Sequence, residues 1–460
     1  MKKAAIVVGS LLFIVVACNP LIDQESVENT SKASSFNINP IAPGSESTYD
    51  LSLKLDDEGE FTVEASIEVQ NVSNEGWDTL VFYFIPNMFT EENSTDLKQP
   101  SNLEVDKITL NGKAAEYSLE KDTFTIPLSQ KLPPQESINV TVNYTFTLPE
   151  EGHRFTKKGS SFYLAQWYPM VPTYRNGWNK EEYQSKGESY HTAFSNFKLH
   201  YEVPKGYTVV SSSEQDKFPS GSESTLLAQR MKELYVAVLY KPDMSEGIAE
   251  DTNVRVFNTE DTNRREKVVE IASEAIKYFE DTIGPYPHQQ LDIILSDLSM
   301  EYSGIVTVDN GTKRIGSLKS LVVHEVAHQW FYGMVNNDPY YDAWLDEGLT
   351  TLSSSLFFAH KGNKEMPNEF NSKPKPVNLP IDQYPEKYGP YIYGNSSVGL
   401  WKVFEKYGDR QVAEDFLHKY YRLYKYKEVD TEEFIRFLKH FLNIEGNSDF
   451  EGWLKLEEGK

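Results

Sequence analysis

From Tyr49 the chain reads as short segments in which apolar and polar residues alternate, and near residue 265 that two-residue period gives way to a helical one. YDLSLKLD, FTVEASIEVQNV, TLVFYFIP, SINVTVNYTFTL, FKLHYEVP and YTVVSS are separated by Gly, Pro, Asn and Asp turns, which predicts a β domain over residues 48–245. From REKVVEIASEAIKYFEDTIG, residues 265–284, apolar residues recur every three to four positions, interrupted by one strand-like run, LDIILSD, at 291–297. The expected fold class is therefore α+β and multidomain. A sandwich-like β domain precedes a mixed domain over 246–460 that ends in amphipathic helices. One of these is expected to begin at Thr431, with Glu433 as its cap. A chain of 460 residues, 39% hydrophobic and 13% aromatic, holds enough apolar surface for more than one core.

The first 47 residues follow neither period. MKK is cationic, AAIVVGSLLFIVVA is apolar but short for a membrane span, and Val15-Val16-Ala17-Cys18 resembles the lipobox of bacterial lipoprotein signals. Residues 1–17 read as a removed signal peptide and 18–47 as a polar tether, with a lipid on Cys18 holding an extracytoplasmic protein at the bacterial cell membrane. An ordinary secretory signal with a stray cysteine is the alternative. Because Cys18 is the only cysteine, the body of the chain can build neither a disulfide nor a cysteine-based metal site or nucleophile. The formal charge of -24 repels phosphate backbones and argues against nucleic acid as a partner. An acidic cleft, by contrast, would favour ligands that carry an amine.

HEVAHQW, at 324–330, places His324 and His328 one turn apart on one helix face with Glu325 beside them. That helix is expected to run from about Ser317 to Val335, where Asn336-Asn337-Asp338-Pro339 breaks it, and a second helix is expected near Asp342. A catalytic zinc takes three protein ligands and keeps one position open. The returning helix offers WLDEGLTTL, whose Glu347 completes a His, His, Glu set for one zinc ion per chain. A carboxylate at Glu325 could then take a proton from an attacking water.

HEVAHQW followed by WLDEG at this spacing resembles the gluzincin aminopeptidases, the family of aminopeptidase N. The resemblance implies a saddle-like β domain followed by a thermolysin-like catalytic domain. It also implies that His324, His328 and Glu347 bind zinc, that Glu325 is the general base, and that the substrates are peptides cleaved at their N-terminus. YGPYIYGNSSVGLW is similar to the family segment that supplies an oxyanion-stabilising tyrosine, here Tyr393, although Asn395 and Ser396 replace the family's Lys and Gly. LSMEYSG, at 298–304, is similar to the segment whose glutamate binds the substrate amine, which implies that role for Glu301. Leu298 and Tyr302 depart from that pattern. In FYLAQWYPMVPTY, Gln166 resembles a glutamine that reaches the amine site; the other reading is that this segment packs a domain interface through Trp167 and Tyr168. The large C-terminal helical domain of many members has no counterpart after Glu347, so the cleft is expected to be open. An endopeptidase and a catalytically dead peptide-binding lipoprotein are the rival readings.

Overall fold

The alternation in the first half forms three sheets in the computed structural model, which describes residues 36–456 apart from 95–96, 185–186, 363, 371–374 and 386. The largest sheet runs in the order Glu223–Met231, Ser195–Glu202, Ser45–Leu55, Phe61–Asn71, Ser137–Phe146, Leu103–Leu110 and Lys113–Ala114. Strand Phe61–Asn71 shows why it is stable. Phe61, Val63, Ala65, Ile67 and Val69 are buried on one face while Thr62, Glu64 and Glu68 meet solvent on the other. Each fully buried large apolar side chain of this kind contributes about 1.5–3 kcal/mol. Two smaller sheets, Trp77–Tyr83 with Thr123–Leu132 and Ser118–Glu120, and Tyr207–Ser211 with Val236–Tyr240, Ser161–Leu164 and Phe155–Lys158, close over an aromatic core that includes Trp77, Phe82, Tyr144 and Trp167.

The second half is built on a four-stranded sheet, Met244–Ala249, Thr252–Phe257, Gln290–Ser296 and Ile305–Asp309. Only the third of these strands was expected from the sequence. Helix α1 (Thr262–Thr282), capped by the Asp261 carboxylate on the Arg264 amide, makes the crossover between two parallel strands of this sheet. Helices α2 (Ile315–Ala327), α3 (Ala343–His360), α4 (Ser396–Tyr407), α5 (Arg410–Tyr424) and α6 (Thr431–Leu442) follow. A shared cluster of Tyr163, Val210 and Tyr235 with Phe257, Ile294, Tyr302 and Ile305 joins the sheet-rich part to the helical part. The fold is α+β, a sheet-rich N-terminal part followed by a mixed, largely helical one.

Three expectations need correction. The zinc-motif helix ends at Ala327 rather than near Val335: the amides of Gln329 and Trp330 bond three residues back, to the Val326 and Ala327 carbonyls, and Gly333, after Tyr332 at a φ of 111°, closes the turn by donating to the His328 carbonyl at 2.9 Å. The aromatic run Trp330-Phe331-Tyr332 thus belongs to a buried turn, not to helix. The cap of α6 is Asp430, which accepts from the Glu433 amide at 2.9 Å; the Glu433 carboxylate instead receives the Asn39 amide at 2.8 Å. The tether shortens accordingly, since Ile41 also donates to the Glu428 carbonyl and the first strand begins at Ser45. Cys18, the lipobox-like residues and the expected signal peptide lie outside the described residues. Among the described residues no helix is long and apolar enough to cross a membrane.

Candidate active site

Helix α2 delivers His324 in its last turn and His328 at its C-terminal cap, and α3 returns beside it with Glu347 one turn in. Helix α4 packs closely on α3 because Gly348 has no side chain: a Cβ there would lie 2.8 Å from Ser396. The same contact brings in the π-helical turn Pro390–Asn395, which carries Tyr393. The Asp342 carboxylate precedes α3 and accepts from the Thr431 hydroxyl at 2.5 Å, which pins the start of α3 to the start of α6.

Three ligand atoms converge. His324 Nε2, His328 Nε2 and Glu347 Oε2 form a triangle with edges of 3.1, 3.2 and 3.2 Å. A tetrahedral site with bonds of about 2.0–2.1 Å has edges of about 3.3 Å, so the three atoms fit three corners of a zinc site. Two imidazole nitrogens aimed at one point 3.1 Å apart are unfavourable unless a cation lies between them. His328 presents Nε2 because its Nδ1–H donates to the Phe331 carbonyl at 3.1 Å, with the Thr350 hydroxyl 3.2 Å from the same nitrogen. Burial alone would raise the Glu347 carboxyl; the charge on His328 and hydrogen bonds from both histidines outweigh it and bring the pKa to about 2. The ligand carboxylate is therefore ionised throughout the working range.

A cleft of about 630 Å³ opens over this triangle, lined also by Glu301, Glu325, Tyr388 and Tyr393. Glu325 is buried, and desolvation, followed by the neighbouring charge of Glu301, raises its carboxyl well above the ordinary range, which suits a group that must take up a proton. Tyr393 stacks on His324 with ring centroids 5.7 Å apart, and burial and the Glu347 charge keep its phenol protonated. Glu301 sits where the chain turns back between two parallel strands, in a local hairpin closed by Met300 and Thr307. Gly304 supplies that turn with a φ of +76° where a Cβ would strike the Ser212 carbonyl at 2.7 Å. Desolvation and then the Glu188 charge raise the Glu301 carboxyl well above its usual value.

The structure thus gathers His324, Glu325, His328, Glu347, Tyr393 and Glu301 into one cleft. Gln166 is not among its lining residues. It is buried at a φ of +49° with an amide nitrogen that has no hydrogen-bond partner, next to Ala165, whose amide bonds the Arg154 carbonyl. Sequence reasoning missed Arg154 and Glu188, which form an ion pair of 2.8 Å in the cleft wall, and Gln329. Gln329 accepts from the Gly304 amide at 2.9 Å and donates to the Tyr302 carbonyl at 3.1 Å, tying the turn after α2 to the Glu301 loop. The position of Gln329 inside HEVAHQW was a signal; Arg154 and Glu188 stand in segments without a pattern.

Residues 268–453 match the family model described as the Peptidase family M1 domain. Leukotriene A-4 hydrolase of Xenopus laevis is 28% identical over 39% of this chain and 34% of its own length. Aminopeptidase N of Lactobacillus delbrueckii subsp. lactis is 28% identical over 35% of this chain and 22% of its own length. The chain therefore spans about a third or less of these two relatives. Among solved structures, an M1 zinc metallopeptidase from Deinococcus radiodurans superposes with a TM-score of 0.67 at 16% identity, covering 90% of this chain and 94% of that one. A mutant of that protein bound to a Tyr-Ser-Ala substrate gives 0.64 at 17% identity. Over residues 268–453 the chain is similar to the Peptidase family M1 domain, and its fold is that of the two-domain M1 zinc metallopeptidases.

Proposed function

We propose that this protein is a zinc-dependent aminopeptidase that removes residues from the free N-termini of peptides. The observation that carries the reading is one cleft holding a His, His, Glu triangle, a buried carboxylate beside it and a second buried carboxylate, Glu301, in its wall. His324, His328 and Glu347 would hold one zinc ion, which supplies Lewis acidity toward the scissile carbonyl and makes a water more acidic. Glu325, protonated only with difficulty in water but readily in its buried site, takes the proton of the attacking water and passes it to the leaving amine. Tyr393 donates its phenolic hydrogen bond to the developing oxyanion. Glu301 pairs with the substrate ammonium and so sets how far from the chain end cleavage falls. Gln166, one residue beyond the contact to Arg154, would support that subsite from behind.

Digesting one peptide with free and with acetylated N-terminus, in the zinc-loaded protein, tests the reading by mass spectrometry. Stepwise loss of N-terminal residues from the free form alone is the expected result, and internal cuts in both forms would assign an endopeptidase instead. The lipobox-like residues further support a lipid anchor at Cys18 and an extracytoplasmic, membrane-bound location. Cys18→Ser should then leave the membrane fraction or remain unprocessed; a processed variant that stays membrane-bound would count against the anchor.

A further inference from the structure

Glu233 lies outside the cleft, yet it bonds to three segments that adjoin the cleft residues Glu188, Glu301 and His328. Its carboxylate is buried and accepts from the Ser303 amide at 3.0 Å, the Tyr190 hydroxyl at 3.2 Å and the Tyr332 hydroxyl at 2.5 Å. Ser303 is two residues beyond Glu301, and Tyr190 is two beyond Glu188. Tyr332 follows Phe331, whose carbonyl orients His328. The hydroxyls of Tyr190 and Tyr332 are themselves 2.9 Å apart, so the three segments meet at one carboxylate.

Tyr332 needs to be held. A residue with a Cβ adopts a φ of 111° only under constraint, and this turn, which follows the end of α2, aims the Phe331 carbonyl back at the His328 ring. Two groups grip its side chain: Glu233 takes the hydroxyl, and the Lys232 ammonium sits 3.9 Å from the ring centroid. Lys232 is buried and its Nζ has no hydrogen-bond partner; desolvation lowers its pKa, and the charges of Glu233 and, more weakly, Asp346, Glu188 and Asp338, with the ring face, oppose that cost. Burying a lysine without a hydrogen-bond partner is costly, and only nearby opposite charge and the ring face offset that cost here. Lys232 and Glu233 precede the strand Val236–Tyr240, a rigid support shared by the two parts of the fold.

We propose that Glu233, assisted by Lys232, is a positioning residue that fixes the distance between the metal triangle and the amine-sensing carboxylates. One bond reaches the metal side through Tyr332 and Phe331; the others reach the Glu301 and Glu188 loops through Ser303 and Tyr190. The assignment rests on the aminopeptidase reading for the meaning of the second side, but not for the first.

The test uses the full, zinc-loaded protein with Glu233→Gln, Tyr332→Phe and Tyr190→Phe. Zinc affinity is read by competition with a chelator of known strength, and kcat and KM are read on an aminoacyl chromogenic substrate and its N-acetylated form. Glu233→Gln should weaken zinc about tenfold and reduce the preference for the free amine, chiefly through KM. Tyr332→Phe should weaken zinc as well, while Tyr190→Phe should reduce the preference and leave zinc affinity unchanged. If Glu233→Gln does not fold, the two tyrosine variants carry the same division. Wild-type zinc affinity and preference in folded Glu233→Gln, with only a lower Tm, would overturn the proposal. Should the wild type itself cleave both substrates equally, the aminopeptidase reading fails, and the zinc measurement alone still decides whether Glu233 positions the metal side.

Discussion

The two ends of the cleft are built by opposite means. At the metal end, His324, His328 and Glu347 come from two consecutive helices, and their ligand atoms converge to within 3.2 Å of one another. Opposite charges draw that end together, Glu347 being held at about pKa 2 chiefly by His328 once burial is overcome. At the amine end, Glu301 and Glu188 come from separate loops, repel each other in a desolvated wall, and are moderated by Arg154. The metal end is assembled to receive a cation among partners it already has. The amine end lacks one positive charge, which a substrate ammonium would supply under the proposed function.

The largest expected effects fall on the metal end. His324→Ala should lose zinc, measured by metal analysis, and with it essentially all turnover; full zinc occupancy in that variant would break the ligand assignment. Glu325→Gln should keep one zinc per chain yet lose about 10²–10⁴-fold in kcat, because an amide cannot accept the water's proton. Tyr393→Phe is expected to lose about 10²–10³-fold in kcat with KM little changed, as befits a donor that acts on the oxyanion alone. A change in KM only would move Tyr393 from the chemistry to substrate packing.

The smallest effect concerns the support of the metal end. Desolvation raises the Asp342 carboxyl to about 7 against the Thr431 bonds that lower it, so the folded state binds this proton more tightly than the unfolded chain does. Its contribution to stability is complete below pH ~4 and is lost as pH rises through about 7. Asp342→Asn keeps an acceptor for Thr431 and removes the titration. The variant's unfolding free energy, read from denaturant melts, should therefore fall less between pH 5 and 8, by about 2–3 kcal/mol. Parallel pH curves for the two proteins would show that Asp342 does not titrate in this range.

The contrast between the two ends also explains what the sequence reveals. His324, His328 and Glu347 are separated by helical turns and one break, so their convergence follows from local periodicity. The strand pattern of the first half was legible for the same reason, since one face of Phe61–Asn71 is buried and the other solvated. Glu188, Arg154 and Glu233 meet the site only through long-range packing, and no local period marks such residues. Trp330-Phe331-Tyr332 misled because a buried aromatic turn and a buried helix share one composition; the φ of Tyr332 decides between them and is a tertiary outcome. The strands at Met244–Ala249 and Thr252–Phe257 were missed because the first is exposed on much of its length and the second is buried on both faces, so neither alternates cleanly.

Glu301→Ala tests most directly whether the amine end is what it is taken to be. The measurement is kcat/KM of wild type and variant on an aminoacyl chromogenic substrate and on its N-acetylated form, with zinc content checked in both. Loss of the ammonium's partner should cost on the order of 2–4 kcal/mol on the free amine and almost nothing on the blocked form, with zinc unchanged. Equal loss on both substrates, or efficient cleavage of the blocked form by wild type, would contradict the account.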